Sequence, residues 1–190
     1  MSTELHRFDV AALPATPWKN GGGSTREIAS WPPGAGLEGF DWRVSIASIA
    51  ASGPFSTFAG VDRIITLLGG DGVRLHGQGL EHRLATPLAP FAFSGDERVD
   101  CTLLGGASSD FNVMTRRGRL RAVLHVLHRA AELPAAAHGL LLAWRGNWRV
   151  GDEALAQGQG LWWADAATAW RVGTEDADAA LLAVQWHPAR

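Results

Sequence analysis

The ten residues V-D-R-I-I-T-L-L-G-G (Val61–Gly70) decide the fold. Read as an extended segment, they place Val61, Ile65 and Leu67 on one face and Ile64 and Leu68 on the other, so both faces are apolar. A strand covered on both sides reads this way, and the closing Gly pair marks the turn that ends it. Arg63 shares a face with Val61, Ile65 and Leu67, an expensive place for a guanidinium unless something negative meets it.

Working outward, F-D-W-R-V-S-I-A (Phe40–Ala47) alternates, with Phe40, Trp42, Val44 and Ile46 on one face and Asp41, Arg43 and Ser45 on the other. Which face is inside decides where Arg43 points. G-V-R-L-H-G (Gly72–Gly77), P-F-A-F-S-G (Pro90–Gly95) and V-D-C-T-L-L-G-G (Val99–Gly106) are further short apolar runs closed by Gly. R-L-R-A-V-L-H-V-L-H-R-A-A (Arg119–Ala131) fits both periods: Leu120, Val123, Leu124 and Leu127 for a helix, Leu120, Ala122, Leu124 and Val126 for a strand. Its β surroundings favour strand. I-T-L-L-G-G-D-G-V-R-L (Ile65–Leu75) is similar to L-L-L-A-W-R-G-N-W-R-V (Leu140–Val150), and V-D-C-T-L-L-G-G is echoed by A-A-L-L-A-V-Q-W (Ala179–Trp186). Two similar all-β halves predict a duplicated sandwich or jelly roll.

The 190 residues suit one domain or two small halves sharing a core, and 46% hydrophobic against 19% charged content excludes a disordered chain. A net charge of −2 without any basic run gives no reason to expect nucleic acid or an acidic membrane surface as partner. No apolar run approaches the ~20 residues that span a bilayer. The start, M-S-T-E-L-H-R-F-D-V, lacks the regions of a signal peptide. The single cysteine, Cys101, excludes an internal disulfide and fits a reducing compartment. The expectation is a soluble, cytoplasmic protein.

P-W-K-N-G-G-G-S-T-R-E-I (Pro17–Ile28) raises the question of chemistry. It is no nucleotide phosphate loop, because Lys does not precede Ser24 and Pro32 halts any following helix. A Gly turn can still present backbone N–H groups to an anion. Arg63, with Lys19 and Arg26, then suits a carboxylate, since the guanidinium fork makes two parallel hydrogen bonds to one. The alternative is an internal ion pair of Arg63 or Arg26 with Glu27, Asp41 or Asp62. The seven histidines show no H-x-H or H-E-x-x-H spacing, so no metal is expected. Cys101, between Val99 and Leu103, reads as a buried small hydrophobe. The late cluster Trp144, Trp148, Trp162, Trp163, Trp170 and Trp186 reads first as core and second as a sugar-stacking or partner face. S-S-D-F-N-V-M-T-R-R-G (Ser108–Gly118) reads as a segment crossing between the halves, with Asn112 and Thr115 as pocket donors.

Taken in order, W-K-N-G-G-G-S-T-R-E-I, F-D-W-R-V-S-I-A, G-P-F-S-x-F-x-G-V-D-R and D-F-N-V-M-T-R-R-G resemble the HutD/Ves family, cupin-like proteins associated with bacterial histidine utilisation. The resemblance covers about residues 5–118 closely and the remainder loosely. It implies an all-β bicupin of the RmlC-like jelly-roll type, with halves 1–115 and 116–190, often paired as a homodimer. It implies no established enzymatic activity and no cofactor. The implied role is binding a small acidic intermediate, N-formylglutamate or urocanate, to moderate histidine utilisation. Arg63 falls on the implied carboxylate anchor, and Lys19, Asn20, Arg26, Asn112 and Thr115 on the implied pocket lining. Where metal-binding cupins carry H-x-H followed by Glu, this chain has L-H-G-Q-G-L-E-H (Leu75–His82). A second reading is a metal-independent isomerase or hydrolase of a related carboxylate, with His76 or His82 as acid/base.

Overall fold

The computed structural model describes residues 4–189; the first three residues of the opening segment read above, and Arg190, lie outside the described residues. Strands account for nearly all of the regular structure. The first is β1 (His6–Asp9). Ten more belong to a compact unit, Pro14–Arg119: β2 (Thr16–Pro17), β3 (Gly23–Trp31), β4 (Trp42–Ile49), β5 (Gly53–Pro54), β6 (Val61–Gly70), β7 (Val73–Gly77), β8 (Leu80–Leu84), β9 (Pro90–Ser94), β10 (Val99–Leu103) and β11 (Ser108–Arg116). A second unit combines the segment ending at Leu13, and so β1, with the chain from Leu120 onward. Its strands are β12 (Leu120–Leu127), β13 (Ala131–Ala136), β14 (His138–Arg145), β15 (Trp148–Val150), β16 (Glu153–Leu155), β17 (Gln159–Trp163), β18 (Thr168–Gly173) and β19 (Ala180–Pro188). A short helix, α1 (Gly36–Gly39), joins β3 to β4.

Each unit is a pair of antiparallel sheets. In the first, the order β2-β3-β4-β11-β6-β9 faces the order β5-β10-β7-β8. Ile49, Ile65 and Leu67 of the larger sheet meet Val73, Leu75, Leu84, Val99 and Cys101 of the smaller one. The second unit pairs β1-β17-β14-β19-β12 with β13-β18-β15-β16. Its interior holds Trp148 and Trp163 among Leu133, Leu141, Leu161 and Leu181, with Trp170 edge-on to Trp163. Trp163 Nε1 donates to the Ala136 carbonyl at 2.9 Å, which satisfies the one polar atom of that buried ring. Part of the late tryptophan cluster is therefore core.

The strand orders match. β4-β11-β6-β9 in one unit has its counterpart in β12-β19-β14-β17, and β5-β10-β7-β8 in β13-β18-β15-β16. The similarity at an offset of 75 aligns β6, turn and β7 with β14, turn and β15. The second echo does not hold: Val99–Leu103 is β10 of a smaller sheet, whereas Ala180–Pro188 is β19 of a larger one. Short apolar runs look alike whichever sheet they join. Residues 120–127 are a strand along their whole length, paired with β19. Ser108–Arg116 is not a crossing segment but a central strand of the first unit's larger sheet, between β4 and β6.

Candidate functional site

Alternation along β11 sends Asp110, Asn112 and Met114 to the inner face of the larger sheet of the first unit. Register brings neighbours to each: Ala47 and Leu67 beside Asp110, Ser45 and Ile65 beside Asn112, Arg43 and Arg63 beside Met114. Phe93 of β9 stands opposite Arg63. Of these, Arg43, Ser45, Ala47, Arg63, Asp110, Asn112 and Met114 line a cavity of about 660 Å³. Arg63, Asp110 and Asn112 are buried at its floor, and Trp18, Lys19, Asn20, Leu37, Phe55 and Phe58 line it nearer the mouth.

The floor is a short polar chain. Arg63 Nη2 donates to Asn112 Oδ1 at 3.0 Å, and Asn112 Nδ2 donates to Asp110 Oδ1. Arg63 Nε and Asp110 Oδ2 are buried without a hydrogen-bond partner among the described residues. The guanidinium carbon lies 4.9 Å from the ring centroid of Phe93, 5.4 Å from Phe55 and 5.7 Å from Phe58. Aromatic faces favour a cation but leave its N–H groups wanting acceptors. Burial pulls the Arg63 pKa down to about 10, against the upward pull of Asp110. Burial pushes the Asp110 carboxyl up to about 7, with Arg63 and the Asn112 hydrogen bond acting the other way.

The glycine triplet shapes the mouth. Trp18 N–H donates to Gly23 O at 2.9 Å and Gly21 N–H to Trp18 O at 3.0 Å, closing a tight hairpin between β2 and β3. Asn20 Oδ1 accepts from Gly22 N–H at 3.0 Å, and Trp18 Nε1 donates to Thr25 Oγ1 at 2.8 Å. Gly21 has φ +71°, a conformation that a side chain disfavours, and a Cβ on Gly23 would stand 2.2 Å from the Ser48 carbonyl oxygen. The triplet thus turns the chain sharply and then lets β3 approach β4.

Of the residues expected at the site, Arg63, Asn112, Lys19 and Asn20 are brought together around this cavity. Arg26 and Thr115 are not. Arg26 stands opposite Ile46 and Thr115 opposite Trp42, both on the other face of the sheet from Ser45 and Asn112. The acids offered as ion-pair partners for Arg63 are engaged elsewhere: Glu27 with Arg43 at 2.5 Å, Asp41 with Arg119 at 2.7 Å and Asp62 with Arg117 at 2.7 Å. His76 Nε2 lies 3.2 Å from Thr102 Oγ1 and His82 stacks on Phe91 at 3.6 Å; neither lines the cavity. Cys101 is buried, and burial, with the charge of Asp110, pushes its thiol up to about 12.

Sequence reasoning missed Asp110, left Arg43 undecided and overlooked the aromatic surround. The alternation D-x-N-x-M in Asp110–Met114 carried the signal for Asp110. Among the described residues, no three His, Cys, Asp or Glu side chains gather into a possible metal site. The floor of guanidinium, amide and a single carboxylate does not fit a divalent cation. Among the described residues, no helix is long and apolar enough to cross a membrane.

Similarity to known proteins follows the fold and the site. A solved oxalate decarboxylase from Lactobacillus farciminis superposes with a TM-score of 0.69 over 100% of this chain and 88% of that one, at 7% identity, which bears on the fold alone and places it with the cupin jelly rolls. The solved HutD of Pseudomonas fluorescens SBW25 gives a TM-score of 0.85 at 34% identity, over 98% of this chain and 100% of that one. Protein Ves of Citrobacter koseri is 38% identical over 97% of this chain and 96% of its own. A Pseudomonas putida protein described as an uncharacterized 21.2 kDa protein in the hutC 3′ region is 51% identical over 74% of this chain and 73% of its own. The HutD family model matches residues 10–182, well past the motifs that carry the resemblance, and with these relatives it shows that the chain belongs to the HutD/Ves family.

Proposed function

We propose that this protein reversibly binds a small carboxylic acid in the cavity of its first unit, with Arg63 as the anchor. The single observation that carries this reading is the state of that guanidinium. It is buried, has no carboxylate within ion-pair distance among the described residues, and borders a cavity large enough for a guest. Among the described residues, the hydrogen-bond acceptor that Arg63 reaches is the amide oxygen of Asn112, so donors remain for a carboxylate. Lys19 and Asn20 at the mouth offer further polar contacts to the outer part of such a guest. The description of the Pseudomonas putida relative ties the family to a hut locus. On that ground the acid is an intermediate of histidine breakdown, N-formylglutamate or urocanate, and the cytoplasmic role is to moderate flux through, or expression of, that pathway.

Titration calorimetry with N-formylglutamate and with urocanate tests the anchor. Wild-type protein binds one of them, and Arg63→Ala loses about 2–5 kcal/mol of binding while still melting as a folded protein. Undiminished affinity in Arg63→Ala removes the anchor role.

A further inference from the structure

Asp110 is the group of the cavity floor that an arginine anchor leaves unexplained. Its Oδ1 is held by Asn112, and its Oδ2 is buried with no hydrogen-bond partner among the described residues. A carboxylate left bare on one oxygen is costly as an anion. Without a guest the cost is tempered, because the Arg63 guanidinium stands one amide away and the two charges cancel. A guest carboxylate upsets this balance. Arg63 is then neutralised by the guest, and Asp110 becomes a second anion at the same buried floor. Like charges sharing a site raise the proton affinity of one of them.

Other charged and titratable groups around Asp110 do not answer for it. Its neighbours on β4 and β6 in register are Ala47 and Leu67, with Arg43 and Arg63 further along those strands. Arg43 is already paired with Glu27 of β3. Cys101 of β10 keeps its proton, Lys19 lies at the mouth, and His82 of β8 is stacked on Phe91 with its pKa lowered by burial. Phe93 of β9 carries no charge.

We propose that a carboxylate seats on Arg63 together with one proton from solvent, taken up by the Asp110 carboxylate. The floor is then electrically neutral both empty and filled. Protonation also turns the partnerless oxygen from an acceptor into a donor. The raised pKa of Asp110 in the free protein puts this uptake within reach of neutral pH. Asp110 is thereby a residue that sets which guests are held: it favours acids over neutral analogues most strongly when a proton is available. This rests on the acid-binding reading of the cavity, and the experiment separates the two.

N-formylglutamate is the suitable probe, because both of its carboxylates are ionised throughout the range from about pH 6 to pH 8. Calorimetry in two buffers of different ionisation enthalpy reads the protons exchanged. Wild type takes up close to one proton per guest at the upper end of the range, and its affinity falls by up to about tenfold per pH unit there. Asp110→Asn binds without proton uptake and with a flat pH profile. Binding by wild type with no proton exchange overturns this proposal and leaves the anchor standing. Uptake retained in Asp110→Asn overturns it too, since another group then takes the proton. No binding by wild type at any pH removes both readings. If Asp110→Asn does not fold, the carboxyl carbon resonances of aspartate-labelled wild type, with and without guest, report the same protonation directly; an unmoved Asp110 signal ends the idea.

Discussion

At the scale of single residues, the surroundings of Arg63 decide how the site responds to its medium. Three phenylalanine rings crowd the Arg63 guanidinium and burial leaves only its cavity side open to water and ions, a side that a bound guest then covers. Buried pairs are screened far less than exposed ones. The affinity for N-formylglutamate therefore changes little between low and high salt at fixed pH, and a steep decline in a salt titration would place the anchor at the exposed Lys19 instead. Asp110 adds a dependence of stability on pH. Its folded pKa of about 7 lies above that of an aspartate in an unfolded chain, so the folded state holds the proton more tightly. The contribution of this group to stability is greatest below the unfolded value and is lost as pH rises through about 7, with a slope of up to about 1.4 kcal/mol per pH unit. Urea unfolding of wild type and Asp110→Asn at mildly acidic and mildly alkaline pH reads this: wild type gains on the variant as pH falls.

At the scale of elements, the hairpin between β2 and β3 shows that its glycines do different work. Gly23→Ala forces a methyl group onto the Ser48 carbonyl of β4 and costs about 1–3 kcal/mol, as overpacking does. Gly21→Ala meets nothing within 4 Å and pays only for its left-handed backbone, about 1 kcal/mol. Thermal denaturation of the two variants checks the order; a larger loss at Gly21 would contradict it. The strands themselves were legible because their periods are local: Val61–Gly70 forms one strand over its full length, and Leu120–Leu127 followed its surroundings. Arg63 stood out because a guanidinium on an apolar face advertises its own cost. What a single strand cannot show is which of its faces meets the cavity once neighbours are added. Arg26 and Thr115 do not line the cavity for that reason, since the register of β3 and β11 against β4 turns them away, and β3 also carries a bulge between Glu27 and Ala29. Asp110 escaped notice because its meaning lies in Arg63, forty-seven positions away in sequence, and in the Asn112 amide between them.

At the scale of the whole molecule, every described residue lining the cavity comes from the first unit, Pro14–Arg119, whereas β1 serves the second. β1 pairs with β17 over His6–Asp9; His6 stacks on Trp162 at 3.9 Å and Arg7 makes an ion pair with Glu153. Deleting the chain through Asp9 strips an edge strand from the five-stranded sheet and lowers the melting temperature, yet leaves binding of N-formylglutamate intact; loss of binding in a folded deletion variant would show that the site needs more than its own unit. The placement of β1 also bears on biosynthesis. A nascent chain emerges from its N-terminus, and domains close as units while synthesis continues. The strands of the cavity-bearing unit are all available once residue 116 has emerged, but His6 waits for Trp162. A strand made before the whole cavity-bearing unit is thus among the last to find its place, and the ribosome completes that unit while β1 still waits for the sheet that takes it in.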